Sequence, residues 1–296
     1  MPLEPAARRF ASRRRARARR RRLIALVLLA AAAAVAVSFA WAAVRNRIRG
    51  YSDTHGIEVV RYELDSALLG RSLPEIALVP PGDGRRSLLV LLHGRGTEPK
   101  GMLTDALFAA LAALADRAPV VVLLNGGDHS YYHDRRDGRW GSMMLREAIP
   151  DARRRFATAP GRVAIGGVSM GGFGALYLAS KSPQGFCAVG GHSAALWRSG
   201  GETPQGAFDD AEDYARTDVW RAARAGRYAS LPVWLDVGDA DGFRPADMGF
   251  AQLLRSRGVR VNAHVWPGSH SHRYWDAHTP AYLRFYITAL ERCTQP

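Results

Sequence analysis

Val163-Ala164-Ile165-Gly166-Gly167-Val168-Ser169-Met170-Gly171-Gly172 is an apolar run that breaks at a serine with glycine two residues to either side. The apolar part predicts a strand, residues 172–182 predict a helix, and Ser169 stands at their junction. A residue there occupies a strained turn, and the flanking glycines leave room for neighbouring backbone. A helix starting just after Ser169 also directs its first N–H groups at negative charge forming beside it. The pattern Gly167-Val168-Ser169-Met170-Gly171 therefore reads as a nucleophile on a strand-to-helix turn. The plainer alternative is a glycine-rich turn of structural use only.

Outward from this junction, short apolar runs alternate with longer amphipathic segments. Strands are predicted at 87–92, 120–124, 163–167, 186–190, 233–237 and 261–266, with helices near 103–116, 145–156, 172–182, 245–257 and 279–292. Continuous apolar strands in such alternation specify the α/β class, with a mostly parallel central sheet and helices on both faces. Residues 58–66 and 75–79 read as antiparallel edge strands around the turn Leu69-Gly70-Arg71. Residues 198–229 are polar and glycine-rich and read as an excursion over the sheet. The catalytic domain is expected to span 57–296, one large domain.

A serine hydroxyl needs a base to become a good nucleophile, and the base needs an orienting acid. In strand-loop-helix architectures of this kind the order along the chain is Ser, then Asp or Glu, then His. Gly238-Asp239-Ala240-Asp241-Gly242-Phe243 and Pro267-Gly268-Ser269-His270-Ser271-His272 each follow a predicted strand, at the end where sites in α/β sheets lie. Asp241 is the expected acid, because the acid must clear the strand to meet an imidazole on the next loop. Asp239 is the alternative, and it suits a turn equally well. Asp236, inside the strand, is expected to point into packing or cap a turn. His270 is the expected base and His272 the alternative, while His264 and His278 read as structural. Leu91-Leu92-His93-Gly94-Arg95-Gly96 ends the first long apolar strand. Its loop offers the N–H of Arg95, or of Gly96, to an oxyanion hole completed by Met170. His93 reads as a buried structural residue. The chain has nine histidines but neither H-E-x-x-H nor paired cysteine spacing, so no metal and no cofactor is expected.

The formal net charge of +14 is unevenly spread. Residues 1–22 hold ten arginines against Glu4 alone, and Arg45, Arg47 and Arg49 follow without an acid, which leaves +2 for residues 51–296. Between the two blocks, 23–44 are 22 residues without a charge, enough for one N-terminal transmembrane helix. The larger basic block marks 1–22 as a cytoplasmic tail and places the remainder outside, with 45–56 as a linker. The alternatives are a signal peptide cleaved after Ala42, since Ala40-Trp41-Ala42 fits an A-x-A site, and a soluble core helix. A nucleic-acid partner is not expected, because a span follows the arginines directly. Cys187 and Cys293 are the two cysteines. A bridge between them is chemically allowed outside the cytoplasm, while Cys187, in an apolar run, reads more simply as a small buried hydrophobe.

The stretch Gly167–Gly172, the segment Gly268-Ser269-His270-Ser271 with Tyr274-Trp275, and Gly238-Asp239-Ala240-Asp241 with Phe243 together resemble the esterase D-like branch of the α/β-hydrolase superfamily. That branch includes S-formylglutathione hydrolases, feruloyl esterases and mycobacterial mycolyltransferases. The resemblance covers roughly 57–292. It implies the α/β-hydrolase fold, a small-molecule or lipid ester as substrate, and a triad of Ser169, Asp241 and His270. The mycolyltransferases carry Glu in the acid loop, so the chain departs from them there. Gly126-Gly127-Asp128-His129-Ser130-Tyr131-Tyr132-His133-Asp134, Trp140 and the stretch 145–150 nonetheless look like their corresponding segment. By that likeness Tyr131, Tyr132 and Trp140 are candidates to line the substrate pocket, with packing of a loop on the next helix as the alternative. His192 either faces the cleft or caps a turn. The implied activity is ester hydrolysis through an acyl-enzyme, or acyl transfer to a cell-envelope glycolipid.

Overall fold

The computed structural model describes residues 50–294, with Val35, Val37 and Trp41 as isolated helical positions. Its strands are β1 (Glu58–Ser66), β2 (Arg71–Val79), β3 (Leu88–Leu92), β4 (Val120–Leu124), β5 (Asp134–Arg135), β6 (Gly138–Arg139), β7 (Val163–Val168), β8 (Phe186–His192), β9 (Val233–Gly238) and β10 (Val261–Trp266). The apolar runs β3 and β4 are buried along their whole length. Their side chains alternate between two cores. Leu88, Val90 and Leu92 join one cluster with Val120, Val122 and Leu124, while Leu89, Leu91, Val121 and Leu123 join the other. Such strands need cover on both faces, which is why they carry no polar position. The main sheet has the order β1-β2-β4-β3-β7-β8-β9-β10. The pairs β1–β2 and β2–β4 are antiparallel and the other five are parallel. Strands β5 and β6 form a separate small hairpin.

One face is covered by α1 (Asp105–Ala112) and the long C-terminal helix. The opposite core holds side chains of the helical stretch running from Trp140–Met143 (α2) through a π-turn into Ile149–Arg155 (α3), of α4 (Met170–Lys181), of α6 (Val219–Arg224), which follows α5 (Ala211–Thr217), and of α7 (Arg244–Ser256). The excursion at 198–229 thus folds into two short helices, capped by the Asp210 and Asp218 carboxylates. Their few residues explain the weak periodicity.

Three expectations change, and a fourth falls outside the described residues. The predicted span 23–44 lies outside the described residues except for Val35, Val37 and Trp41, which are exposed. No helix among the described residues is long and apolar enough to cross a membrane. Residues 50–56 of the expected linker belong to the folded body, which begins at Gly50. Tyr51 packs on Phe108 with ring centroids 4.7 Å apart, and Asp105 Oδ1 accepts the Ser52 N–H at 2.7 Å. The last helix, α8, runs His272–Thr294 with Pro280 inside it, so it starts seven residues ahead of the expected 279.

The third change concerns Cys187, which is buried but not free: it is disulfide-bonded to Cys293, 106 residues away. The bridge ties the start of β8 to the end of α8. Closing a loop of that length restricts the unfolded chain, so Cys293→Ser is expected to cost about 2–4 kcal/mol. Chemical unfolding with and without reductant checks this. A wild-type midpoint that reductant leaves in place would contradict it.

Candidate active site

Ser169 is held at φ 54° and ψ −116°, between β7 and the first residue of α4. The close approach of backbone enforces the glycines beside it. A Cβ on Gly171 would come within 2.1 Å of the Leu92 carbonyl oxygen, and one on Gly167 within 2.7 Å of the same atom. The strained turn is anchored by its own backbone. The Ser169 N–H donates to the His192 carbonyl at 3.0 Å, and its carbonyl accepts from Phe173 and Ala195 at 3.1 and 3.0 Å. Ser169 thus has the backbone geometry that a nucleophile on such a turn requires.

The loops after β9 and β10 bring their candidates to the same place. His270 Nε2 lies 2.9 Å from Ser169 Oγ, and His270 Nδ1 lies 2.9 Å from Asp241 Oδ2. Asp241 Oδ1 accepts the Phe243 N–H at 2.9 Å. The Asp241 side chain is fully buried while that of His270 is 33% exposed. Burial pushes the Asp241 carboxyl up, but the hydrogen bonds from His270 and from the Phe243 N–H outweigh it and hold it below its ordinary value. It stays ionised beside the imidazole. The alternatives are engaged elsewhere: Asp239 Oδ1 accepts the Gly268 N–H at 2.9 Å, which braces the base loop, and His272 packs edge-on against Trp275 at the start of α8. His264 and His278 stack on Trp266.

Gly94 faces Ser169, its would-be Cβ 3.6 Å from that of the serine. Gly96 donates its N–H to the Asp128 carbonyl at 2.9 Å, so this N–H is already engaged. The N–H groups of Arg95 and Met170 donate to no protein acceptor among the described residues. His93 is fully buried, and its Nε2 accepts the Gly126 N–H at 3.1 Å, which braces the two loops. Burial holds its imidazole pKa below the ordinary value, so it stays neutral.

The aromatic candidates divide. Tyr132 is fully buried with its hydroxyl on the His93 carbonyl at 3.1 Å, and Trp140 is 3% exposed with Arg71 over its ring. Both rings are packed in the interior; the absence of a side chain at Gly174 and Gly126 leaves the slot that the Tyr132 ring fills. Trp140 also borders a cavity with Arg71, Asn125, Asp128 and Ser130. Tyr131 is buried as well, yet it stacks within the cluster of Phe173, Trp197 and Phe208. Burial raises its hydroxyl pKa and the Arg95 guanidinium opposes the rise, which places it beside the loop that carries Arg95. Phe243, which enters the sequence reading only as part of the acid loop, lies 5.3 Å from the His270 ring, and Trp197 adjoins it at 5.7 Å.

No local pattern in the sequence signals Asp247, on the first turn of α7. It is fully buried, and neither carboxyl oxygen has a well-formed hydrogen bond among the described residues. Burial, then the charges of Asp241 and Asp236, push its pKa far up against a small opposing pull from the Ala194 N–H, so it is neutral in the folded protein. In the unfolded chain it ionises at about pH 4. A folded pKa above the unfolded one gives stability that is complete below about pH 4 and lost as pH rises towards the folded value. Asp247→Asn, which cannot ionise, is expected to gain on the wild type above about pH 4, by up to about 1.4 kcal/mol per pH unit. Unfolding at several pH values measures this, and a pH-independent difference between the two proteins would contradict it.

Comparison with known proteins agrees with this architecture. The family model described as "Putative esterase" matches residues 66–286. Esterase Rv1288 of Mycobacterium tuberculosis (strain ATCC 25618 / H37Rv) is 26% identical over 278 residues, covering 76% of this chain and 60% of that protein. The chain thus spans about 60% of the length of the curated relatives it matches. Among solved structures, a ferulic acid esterase superposes with a TM-score of 0.68 at 21% identity, covering 80% of this chain and 98% of that one. An S-formylglutathione hydrolase from Agrobacterium tumefaciens gives 0.65 at 17%, with 80% and 96% covered. Mycobacterium tuberculosis MPT51 (FbpC1) gives 0.61 at 21%, with 79% and 99% covered. At these identities the likeness is one of fold, the α/β-hydrolase fold. With three quarters of its length matched by the family model, the chain belongs to this esterase family.

Proposed function

We propose that the protein is a serine hydrolase of carboxylic esters, working through an acyl-enzyme on Ser169. The observation that carries the reading is the continuous hydrogen-bond path from Ser169 Oγ through both nitrogens of His270 to Asp241, each contact 2.9 Å. With Nδ1–H donated to Asp241, Nε2 is free to accept the serine proton as Oγ attacks the ester carbonyl carbon. The carbonyl oxygen becomes an oxyanion, stabilised by the N–H groups of Arg95 and Met170 at the head of α4. Collapse of the tetrahedral intermediate breaks the ester C–O bond, and the imidazolium returns its proton to the departing alkoxide. Water repeats the sequence, giving the carboxylic acid and free Ser169.

The substrate is a small-molecule or lipid ester. The esterase names of the matched relatives support the reaction class. Acyl transfer is the second reading, supported by the exposure of His270, since an alcohol can reach the base where water does. The charge pattern of residues 1–50 supports a site carried outside the cytoplasmic membrane on an N-terminal anchor.

Ser169→Ala is expected to lower kcat/KM for aryl esters by about 10⁴-fold or more and to abolish fluorophosphonate labelling. Labelling that survives the substitution would refute the nucleophile. Asp241→Asn should lower kcat by about 10³–10⁴-fold with labelling slowed in step. Adding glycerol or a sugar during turnover separates the two readings: product confined to free acid upholds hydrolysis, and transacylated product upholds transfer. A tag after Pro296 should be accessible from outside intact cells, and one reachable only from the cytoplasm would refute the topology.

A further inference from the structure

We propose that Asp236 is a positioning residue that sets the spacing of Ser169 and His270 from beneath the site. The inference rests on the reading of those two residues as reacting groups. Asp236 lies in β9 and is fully buried. Its Oδ1 accepts from His192 Nδ1 at 2.7 Å and from Trp234 Nε1 at 2.8 Å. Its Oδ2 accepts from the Tyr274 and Tyr282 hydroxyls at 2.9 and 2.7 Å. Four donors fill the acceptor capacity of one carboxylate, which is what a charge removed from water requires. Burial and the Asp236 charge raise the pKa of both tyrosines, so both remain donors.

Two of the four donors lead to the reacting groups. His192 ends β8, and its carbonyl accepts the Ser169 N–H at 3.0 Å. Its Nε2 is held in turn by the Tyr286 hydroxyl at 2.9 Å, so the ring is fixed at both nitrogens. Tyr274 lies four residues beyond His270, and its N–H donates to the Ser271 carbonyl at 3.0 Å. The base loop rests on its ring, for a Cβ on Gly268 would meet Tyr274 Cδ2 at 2.7 Å. The Asp236 carbonyl adds a third tie, accepting the Ser193 N–H at 2.7 Å. One buried carboxylate thereby couples the nucleophile turn to the base loop. An apolar side chain would fill the same space without desolvating a charge, but it would gather no donors from β8 and α8. The contact thus coupled is short, and a displacement of about 1 Å between reacting groups costs on the order of 10²-fold in rate.

Tyr274→Phe and Tyr282→Phe form the test, because each removes one hydroxyl from the same carboxylate oxygen and keeps its ring. Both should lower Tm by a similar few degrees. Only Tyr274 lies next to the base loop, so Tyr274→Phe is expected to lower kcat about tenfold with KM within twofold, while Tyr282→Phe leaves kcat within twofold. Fluorophosphonate labelling should slow in the first variant alone. Where it folds, Asp236→Asn should lower kcat about 100-fold with KM little changed. Equal effects of the two tyrosine variants on kcat, or none from either, overturn the positioning role. Ser169→Ala, assayed alongside, separates the two levels. Activity retained there overturns the reading of the reacting groups as well, whereas activity lost there leaves the tyrosine pair to decide the positioning role.

Discussion

The packing of Gly171 and Gly167 on the Leu92 carbonyl governs the whole site. It lets the strand-to-helix turn of β7 and α4 pass against the end of β3 with no side chain between. The consequence is local and directional. Ser169 is forced to positive φ, its hydroxyl stands clear of the sheet, and the head of α4 lies beside the loop that carries Gly94 and Arg95. Such a backbone conformation costs roughly 1–3 kcal/mol in a non-glycine residue. The three backbone hydrogen bonds of Ser169 to β8, α4 and Ala195 offset that cost.

Around this turn the electrostatics are graded with depth. Asp241 is ionised and sealed, its charge matched by an imidazole and a backbone N–H, whereas His270 remains one-third open to solvent. In the proposed mechanism a proton is therefore exchanged at the surface while the orienting charge stays in a medium where it acts strongly. Asp247 lies close enough to feel the charges of Asp241 and Asp236 and is buried without a well-formed hydrogen bond, so it stays neutral. A second ionised carboxylate there would be repelled by the charges of Asp241 and Asp236.

The fold is legible in the sequence because its strands are uniform. Every predicted parallel strand lies within two residues of an observed one, since runs such as Leu88–Leu92 and Val120–Leu124 admit no other reading once the sheet is covered on both faces. The grouping of Ser169, Asp241 and His270 is legible for a related reason: chain order and position after strand ends limit the choices. What escapes is the partner set of buried polar residues. Asp236 reads as an ordinary strand residue because its four donors come from positions up to 46 residues away, and no local pattern encodes them. Cys187 reads as apolar because its partner lies at the far end of the chain. The depth at which Tyr132 and Trp140 are buried also escapes, because motif likeness carries no information about how far a ring sinks beneath its loop. The tail and the span are written in charge and length alone, and apart from Val35, Val37 and Trp41 they lie outside the described residues.

If hydrolysis passes through an ester of Ser169, the covalent intermediate can be caught. The decisive measurement is mass spectrometry of the protein quenched during turnover of a slowly deacylated aryl ester. One added acyl mass is expected, located on the peptide that contains Ser169 and absent from Ser169→Ala, together with a burst of released phenol equal to the enzyme present. Steady hydrolysis with no covalent adduct, or an adduct on another residue, would contradict the acyl-enzyme mechanism.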